Sequence, residues 1–265
     1  MKIGITGSNG VLGSEFIKTL NKKDMIKFNG RIENIKDVEK WIYKNNFDLI
    51  FHFAAIVPTF KVNSNKKKAM HVNYIGTKNL IDTINKFSKK KIWFFYSSTS
   101  HVYNFSSTKR KEFQTPMPIS YYGKTKYLAE KEIKKLQKKD IKFCIGRIFS
   151  TTNSNQRKNY LVPDLKRKIK KFKEPVILEN LNHFRDFISV NDISKIIVNL
   201  SKKQYNGIVN IASGKKTKLS EIAQIISNKF KRKIIIKENK NPSYLIANNN
   251  ILKRLYRFKI KAKIE

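Results

Sequence analysis

Residues 7–13 read Gly7-Ser8-Asn9-Gly10-Val11-Leu12-Gly13 and stand between a short apolar run at 2–6 and an amphipathic run at 11–20. A strand that passes directly into a helix needs a tight turn, which Gly7 permits. Gly10 leaves bare backbone where a ligand can approach, and Gly13 lets the helix close on the strand. A helix N-terminus presents free N–H groups and the positive end of its dipole, so this turn suits an anion. With a strand before it and a helix after it, the turn makes a dinucleotide pyrophosphate the expected ligand. Its contacts would come from Gly7, Asn9, Gly10, Val11, Leu12 and Gly13.

The next 130 or so residues repeat the same alternation. Strand-like runs at 25–28, 48–53, 91–97 and 141–148 are separated by amphipathic runs at 38–43, 73–87 and 122–136. Short strands that are apolar throughout need cover on both faces, which a parallel sheet between helices provides. The expected class is α/β, a doubly wound parallel (Rossmann) sheet over residues 1–150, with 180–203 returning to it. Residues 151–179 and 204–265 are assigned to a smaller C-terminal lobe that receives the substrate.

The formal charge of +38, from 57 Lys and Arg against 19 Asp and Glu, invites a nucleic-acid or membrane reading. The lysines are scattered, however, and an excess of Asn and Ile beside them points to compositional drift at exposed positions. No aromatic-interleaved basic stripe is present, so no nucleic-acid partner is expected. No apolar run approaches the ~18 residues of a membrane span, and the N-terminus enters a strand pattern directly, without a signal-peptide pattern. The single cysteine, Cys144, lies in an apolar run and fits a reducing, cytoplasmic setting. The four histidines (His52, His71, His101, His183) lack metal-ligand spacing, and no metal is expected.

Tyr-x-x-x-Lys occurs at Tyr74/Lys78, Tyr122/Lys126 and Tyr127/Lys131. Only the second pair has prolines ahead of it (Pro116, Pro118), a glycine after the tyrosine, and a hydroxyl-rich segment, Ser97-Ser98-Thr99, one strand earlier. Residues four apart share a helix face, so the Lys126 ammonium is expected beside the Tyr122 phenol. There it would lower the phenol from its usual pKa of about 10 toward neutrality, as general acid–base work requires.

With its G-x-x-G-x-x-G turn, the chain resembles the extended short-chain dehydrogenase/reductase superfamily, specifically the members that modify nucleotide sugars. The resemblance extends through His52-Phe53-Ala54-Ala55, Asn73 with Gly76-Thr77, Ser97-Ser98-Thr99 with Val102-Tyr103, and Tyr122-Gly123-Lys124-Thr125-Lys126. It continues in Arg147-Ile148-Phe149 and in Arg185-Asp186-Phe187-Ile188-Ser189-Val190-Asn191-Asp192. It implies a catalytic set of Thr99, Tyr122 and Lys126. It adds Phe53, Ala54, Ala55, Asn73, Tyr122 and Lys126 to the NAD or NADP contacts. Thr99, His101, Ser150 and Arg185 would touch a nucleotide-sugar substrate, with Arg185 clamping its diphosphate. It also implies a homodimer built on helices 73–87 and 122–136, with Ile75, Leu80, Ile84, Leu128 and Ile133 offered to the partner.

Two departures refine this. Ser150 stands where relatives often carry asparagine. No acidic ribose-gripping residue follows the second strand, and this compressed form resembles the NADPH-using 4-keto-sugar reductases, with Lys27 or Arg31 available to a 2′-phosphate. Ser100 and His101 occupy the two positions after Thr99 where dehydratases place an Asp-Glu pair. Reduction of a nucleotide-linked 4-keto-6-deoxy sugar at C4 is therefore expected first, and 4-epimerisation second. A non-sugar ketone would have no need of Arg185, and a non-catalytic dinucleotide sensor would have no need of Thr99, Tyr122 and Lys126 together.

Overall fold

The computed structural model describes residues 1–20, 24–57, 59–88, 91–139, 141–153, 160–237 and 241–256. The alternation continues to residue 148 as β1 (Ile3–Thr6), α1 (Val11–Leu20), β2 (Met25–Lys27), α2 (Ile35–Lys44), β3 (Leu49–His52), α3 (Thr59–Ser64), α4 (Lys66–Met70), α5 (Gly76–Phe87), β4 (Trp93–Thr99), α6 (Tyr121–Ile133) and β5 (Lys142–Ile148). A π turn, His71–Ile75, joins α4 to α5, and a 3₁₀ turn, Ser100–Val102, follows β4. Beyond them come β6 (Ser150–Thr152), α7 (Leu161–Lys171), β7 (Val176–Glu179), β8 (Phe184–Arg185), β9 (Phe187–Ser189), α8 (Val190–Lys202) and β10 (Gly207–Ile211). The last elements are β11 (Thr217–Lys218), α9 (Leu219–Phe230), β12 (Ile234–Lys237), β13 (Tyr244–Leu245) and α10 (Asn250–Leu255). No helix among the described residues is long and apolar enough to cross a membrane.

Six parallel strands form the central sheet in the order β10-β5-β4-β3-β1-β2, confirming the doubly wound α/β class. One face is covered by α2, α5 and α6 through Val38, Trp41, Leu80, Ile84 and Ile133. The other is covered by α1, α8 and α10 through Phe16, Ile193, Ile197 and Leu252. A separate apolar cluster, including Leu165, Ile169, Val176, Leu178 and Ile222, holds α7, α9 and the parallel β7–β12 pair together as the smaller lobe.

Two expectations are corrected here. Residues 204–265 do not all belong to that lobe. β10 pairs with β5 from Gly207↔Cys144 to Ile211↔Ile148 and completes the central sheet, and Leu252 of α10 packs in the same core. A five-residue apolar strand carries no mark of which sheet it will join, because that choice is made by a pairing partner 60 residues away. Likewise, Leu80, Ile84 and Ile133 are not offered to a second copy. All three are fully buried within the chain.

The largest polar commitment in the interior is an ion pair between Arg147 of β5 and Glu130 of α6, each 1% exposed. Arg147 reaches Glu130 with Nε at 3.1 Å and an Nη at 2.7 Å, and donates its other Nη to the Tyr103 hydroxyl and the Glu112 carbonyl. Ser98 of β4 donates to the same carboxylate at 2.5 Å. Removing one partner of such a pair strands the other charge, at a cost of about 3–5 kcal/mol. Glu130→Ala is therefore expected to lower the urea midpoint by that equivalent, whereas Lys78→Ala, which breaks an exposed pair with Asp82, should shift it by less than about 0.5 kcal/mol.

Candidate active site

The chain leaves β1 for β2 on one side and then crosses back to β3 on the other. Such a reversal opens a crevice at the carboxyl ends of the strands. Gly7 ends β1 with φ +70°, and a Cβ there would stand 2.5 Å from the Ala54 nitrogen in the turn after β3. At Gly13 a Cβ would stand 2.3 Å from the Gly7 carbonyl oxygen. A Cβ at Gly10 meets only that oxygen, at 3.3 Å, and residue 10 otherwise faces the crevice.

Two cavities meet over this turn, sharing Gly7 and Gly10 as lining. The smaller, about 310 Å³, is bordered by Asn9, Phe28, Arg31, Glu33 and Ala54. The larger, about 500 Å³, is lined by Val11, Leu12, Gly13, Phe53 and Ala55 on one side. Thr99, His101, Tyr122, Lys126, Ser150 and Arg185 line it too. An elongated ligand can thus cross the glycine turn with its bulk on either side, which fits a dinucleotide. Lys27 lines neither cavity.

Asn73 is the exception among the expected contacts. It is buried, accepts from the Ile56 N–H at 2.7 Å, and donates to the Ile56 carbonyl and the Thr125 hydroxyl. The π turn carries this side chain inward, where it ties the segment after β3 to α6. His52 is also internal. Its ring bridges Thr6 at 2.6 Å and Thr77 at 2.8 Å, and burial pulls its pKa down to about 3.

Electrostatics in the larger cavity differ from the expected pattern. The Lys126 ammonium sits 4.2 Å from the centre of the Tyr96 ring. Burial pulls its pKa down to about 7, against the pull of Glu130 one helical turn on. Burial likewise pushes the Tyr122 phenol up, with Tyr160 adding to the rise and contact with Thr99 opposing it. Lys126 therefore does not bring Tyr122 toward neutrality in this arrangement, although both line the same space. His101 is lowered to about 4 by burial and by Arg185.

Arg185 donates to the Phe184 and Ser243 carbonyls and to the Ser243 hydroxyl, and its guanidinium lies over the Phe105 ring. Among the described residues no carboxylate pairs with it, and burial lowers its pKa to about 10. The neighbouring Asp186 turns away, accepting from Ser213, Gly214 and Ala247. A partly desolvated cation at a cavity wall without an acidic partner retains its attraction for anions. Tyr160 and Thr151 also line the cavity, and the sequence offers no periodicity or motif that would have picked them out.

The profile of the NAD dependent epimerase/dehydratase family matches residues 3–212. The GDP-6-deoxy-D-talose 4-dehydrogenase of Aggregatibacter actinomycetemcomitans is 31% identical over 285 aligned positions, spanning 97% of this chain and 93% of that protein. A dTDP-4-dehydrorhamnose reductase from Bacillus anthracis, solved in complex with NADP, matches with a TM-score of 0.83 at 23% identity over 99% of this chain and 95% of that one. The UDP-glucose 4-epimerase of Thermus thermophilus, in complex with NAD, matches at 0.82 and 16% identity over 100% and 95%. At those identities the two structures establish the fold.

The position of Lys126 has a consequence for stability. In the unfolded chain it holds its proton up to about 10.5, and in the folded chain only to about 7. Between those values the unfolded state binds the extra proton, so this group's penalty on folding grows as pH falls from about 10.5 to 7. Lys126→Met should melt no lower than wild type at pH 7. Its advantage should shrink as pH is raised toward 10, and a Tm difference independent of pH would overturn the assignment.

Proposed function

Because the chain belongs to the NAD dependent epimerase/dehydratase family, we propose that it is an NAD(P)-dependent enzyme that reduces a nucleotide-activated 4-keto-6-deoxy sugar at C4. The observation that carries this is the larger cavity. It brings Thr99, Tyr122 and Lys126 together with a half-buried Arg185 that has no carboxylate partner among the described residues, and its described lining contains no carboxylate. Arg185 would take the substrate diphosphate through paired donors. Elimination across C5 and C6 would need a base and an acid that this lining does not offer, so a dehydratase is disfavoured. Support also comes from the 31% identical relative named for dehydrogenation at position 4 of a 6-deoxy sugar nucleotide, since the reverse of that reaction is a 4-keto reduction.

NAD(P)H would lie across Gly7, Gly10 and Gly13, supplying the hydride when bound, and the exposed Arg31 at the smaller cavity would favour the 2′-phosphorylated form. Thr99 orients the sugar oxygen at C4. Tyr122 gives that oxygen a proton as the carbon is reduced, and its high pKa in the closed site keeps the proton in place beforehand. Lys126, released from the Tyr96 ring toward an incoming anion or hydroxyl, then eases formation of the phenolate, and Tyr122 is reprotonated from water. In the second reading, 4-epimerisation, the same three residues serve both directions of proton transfer. It is favoured by the same carboxylate-free lining.

With NADPH and a panel of GDP-, UDP- and dTDP-linked 4-keto-6-deoxy hexoses, reduced nicotinamide absorbance is expected to fall. Formation of a C4 epimer from a nucleotide hexose without that loss would replace reduction by epimerisation. Tyr122→Phe should slow turnover by about 10²-fold or more, while Tyr127→Phe stays near wild type. Gly10→Val, whose added side chain borders both cavities and meets only the Gly7 carbonyl oxygen, should lose NADPH binding by calorimetry while a cooperative thermal transition shows that it is folded. Unchanged affinity would place the dinucleotide elsewhere.

A further inference from the structure

His101 lies in the 3₁₀ turn after Thr99 and is one of the residues that line the larger cavity. Its backbone is pinned on two sides. Its carbonyl accepts from the Ile119 N–H at 3.1 Å, and α6 presses so close that a Cβ at Gly123 would stand 2.1 Å from the same oxygen. The ring itself lies 5.8 Å from Tyr122, edge-on. Its Nδ1 is 3.0 Å from the Ser120 hydroxyl oxygen.

Ser120 is the N-cap of α6, and its oxygen already accepts the Gly123 N–H at 3.0 Å. A serine hydroxyl has one hydrogen, and a neutral imidazole has one N–H. Among the described residues the only acceptor in reach of the Ser120 hydrogen is the His101 Nδ1. Were Nδ1 to carry the ring proton, the Ser120 hydrogen would lack a protein partner and Nε2 would be a bare acceptor. With the proton on Nε2, the Ser120 hydrogen is used and the Nε2–H is left without a protein partner among the described residues, on a residue that lines the cavity.

We propose that Ser120 fixes His101 as an uncharged Nε2–H donor whose partner is a sugar oxygen of the substrate other than the one being reduced. The pair would thereby select hydroxyl- or carbonyl-bearing sugars against those carrying an ammonium group there. An ammonium can only donate, so it would find neither an acceptor in the His101 N–H nor attraction from the Arg185 cation nearby. Ser120 acts through His101 and is a positioning residue; its effect on the reaction is on sugar binding. The proposal rests on the nucleotide-sugar function above. Burial and the nearby Arg185 hold the ring neutral, which leaves proton delivery to Tyr122.

The test combines a spectrum with kinetics. In nitrogen-15 histidine-labelled protein, the His101 ring, assigned by its loss in His101→Gln, should show a bare Nδ1 and a protonated Nε2 across about pH 6–8. Ser120→Asp still caps α6 but can only accept, so it should move the ring proton to Nδ1 while Tm is kept. With the best sugar of the panel, His101→Phe should raise KM for the sugar by about 10-fold, as loss of one hydrogen bond predicts. KM for NADPH should not change, and His101→Gln, with an amide N–H near the place of Nε2, should recover most of the loss. A protonated Nδ1 in the wild type, or an unchanged sugar KM in His101→Phe, would overturn the proposal. If no nucleotide sugar is turned over, the functional reading falls, while the nitrogen spectrum still decides the tautomer.

Discussion

Two stretches of bare backbone touch at the centre of this molecule. The turn after β1 and the turn after β3 approach until a single methyl group at residue 7 would overlap the Ala54 peptide, and α1 closes over the first turn only because residue 13 has no side chain. The order of the sheet, the placement of α1 and the crevice above the strand ends all depend on that contact. It also explains why Gly10, the one loop glycine with space beside it, is the position whose side chain would enter the crevice rather than the core.

Long-range and local electrostatics are separate matters here. A net charge of +38 spreads over the surface and attracts anions of any kind. Within the described lining of the larger cavity, two cations are held largely out of water. Lys126 rests on an aromatic face and Arg185 on carbonyl oxygens. Both partners are weak beside a carboxylate, so each cation keeps much of its attraction for an incoming phosphate or hydroxyl. Glu130, which does neutralise a neighbour, is occupied by Arg147 and Ser98 one helical turn deeper.

The sheet and most of the cavity wall were legible in the sequence because they depend on local signals: a strand running into glycines, apolar strands separated by amphipathic helices, and a tyrosine and lysine one turn apart. What was not legible depends on where side chains point and on what they meet at long range. Spacing places Lys126 on the face of Tyr122, but the rotamer that lays its ammonium on Tyr96 is a tertiary choice. Asn73 sits in a motif, and a π turn that no residue pattern announces directs it away from the crevice. Ser120 is a conventional cap in sequence, and only its nearness to His101 gives it a further role.

The sixth strand of the central sheet arrives between the two halves of the smaller lobe, after α7 and β7 and before α9 and β12, and this bears on how the chain can assemble during synthesis. When residue 148 has emerged, β5 presents an open edge of unpaired N–H and C=O groups, a template for intermolecular pairing. The edge stays open until residues 207–211 are available. The same strand supplies Asn210, whose side chain accepts from the Tyr103 hydroxyl that Arg147 uses, and whose N–H reaches Glu112. Until β10 docks, the buried charge at the centre is therefore held by an incomplete set of partners. The two lobes therefore mature together, and a chain cut before residue 207 would leave the larger one without its last strand and the smaller one without α9 and β12.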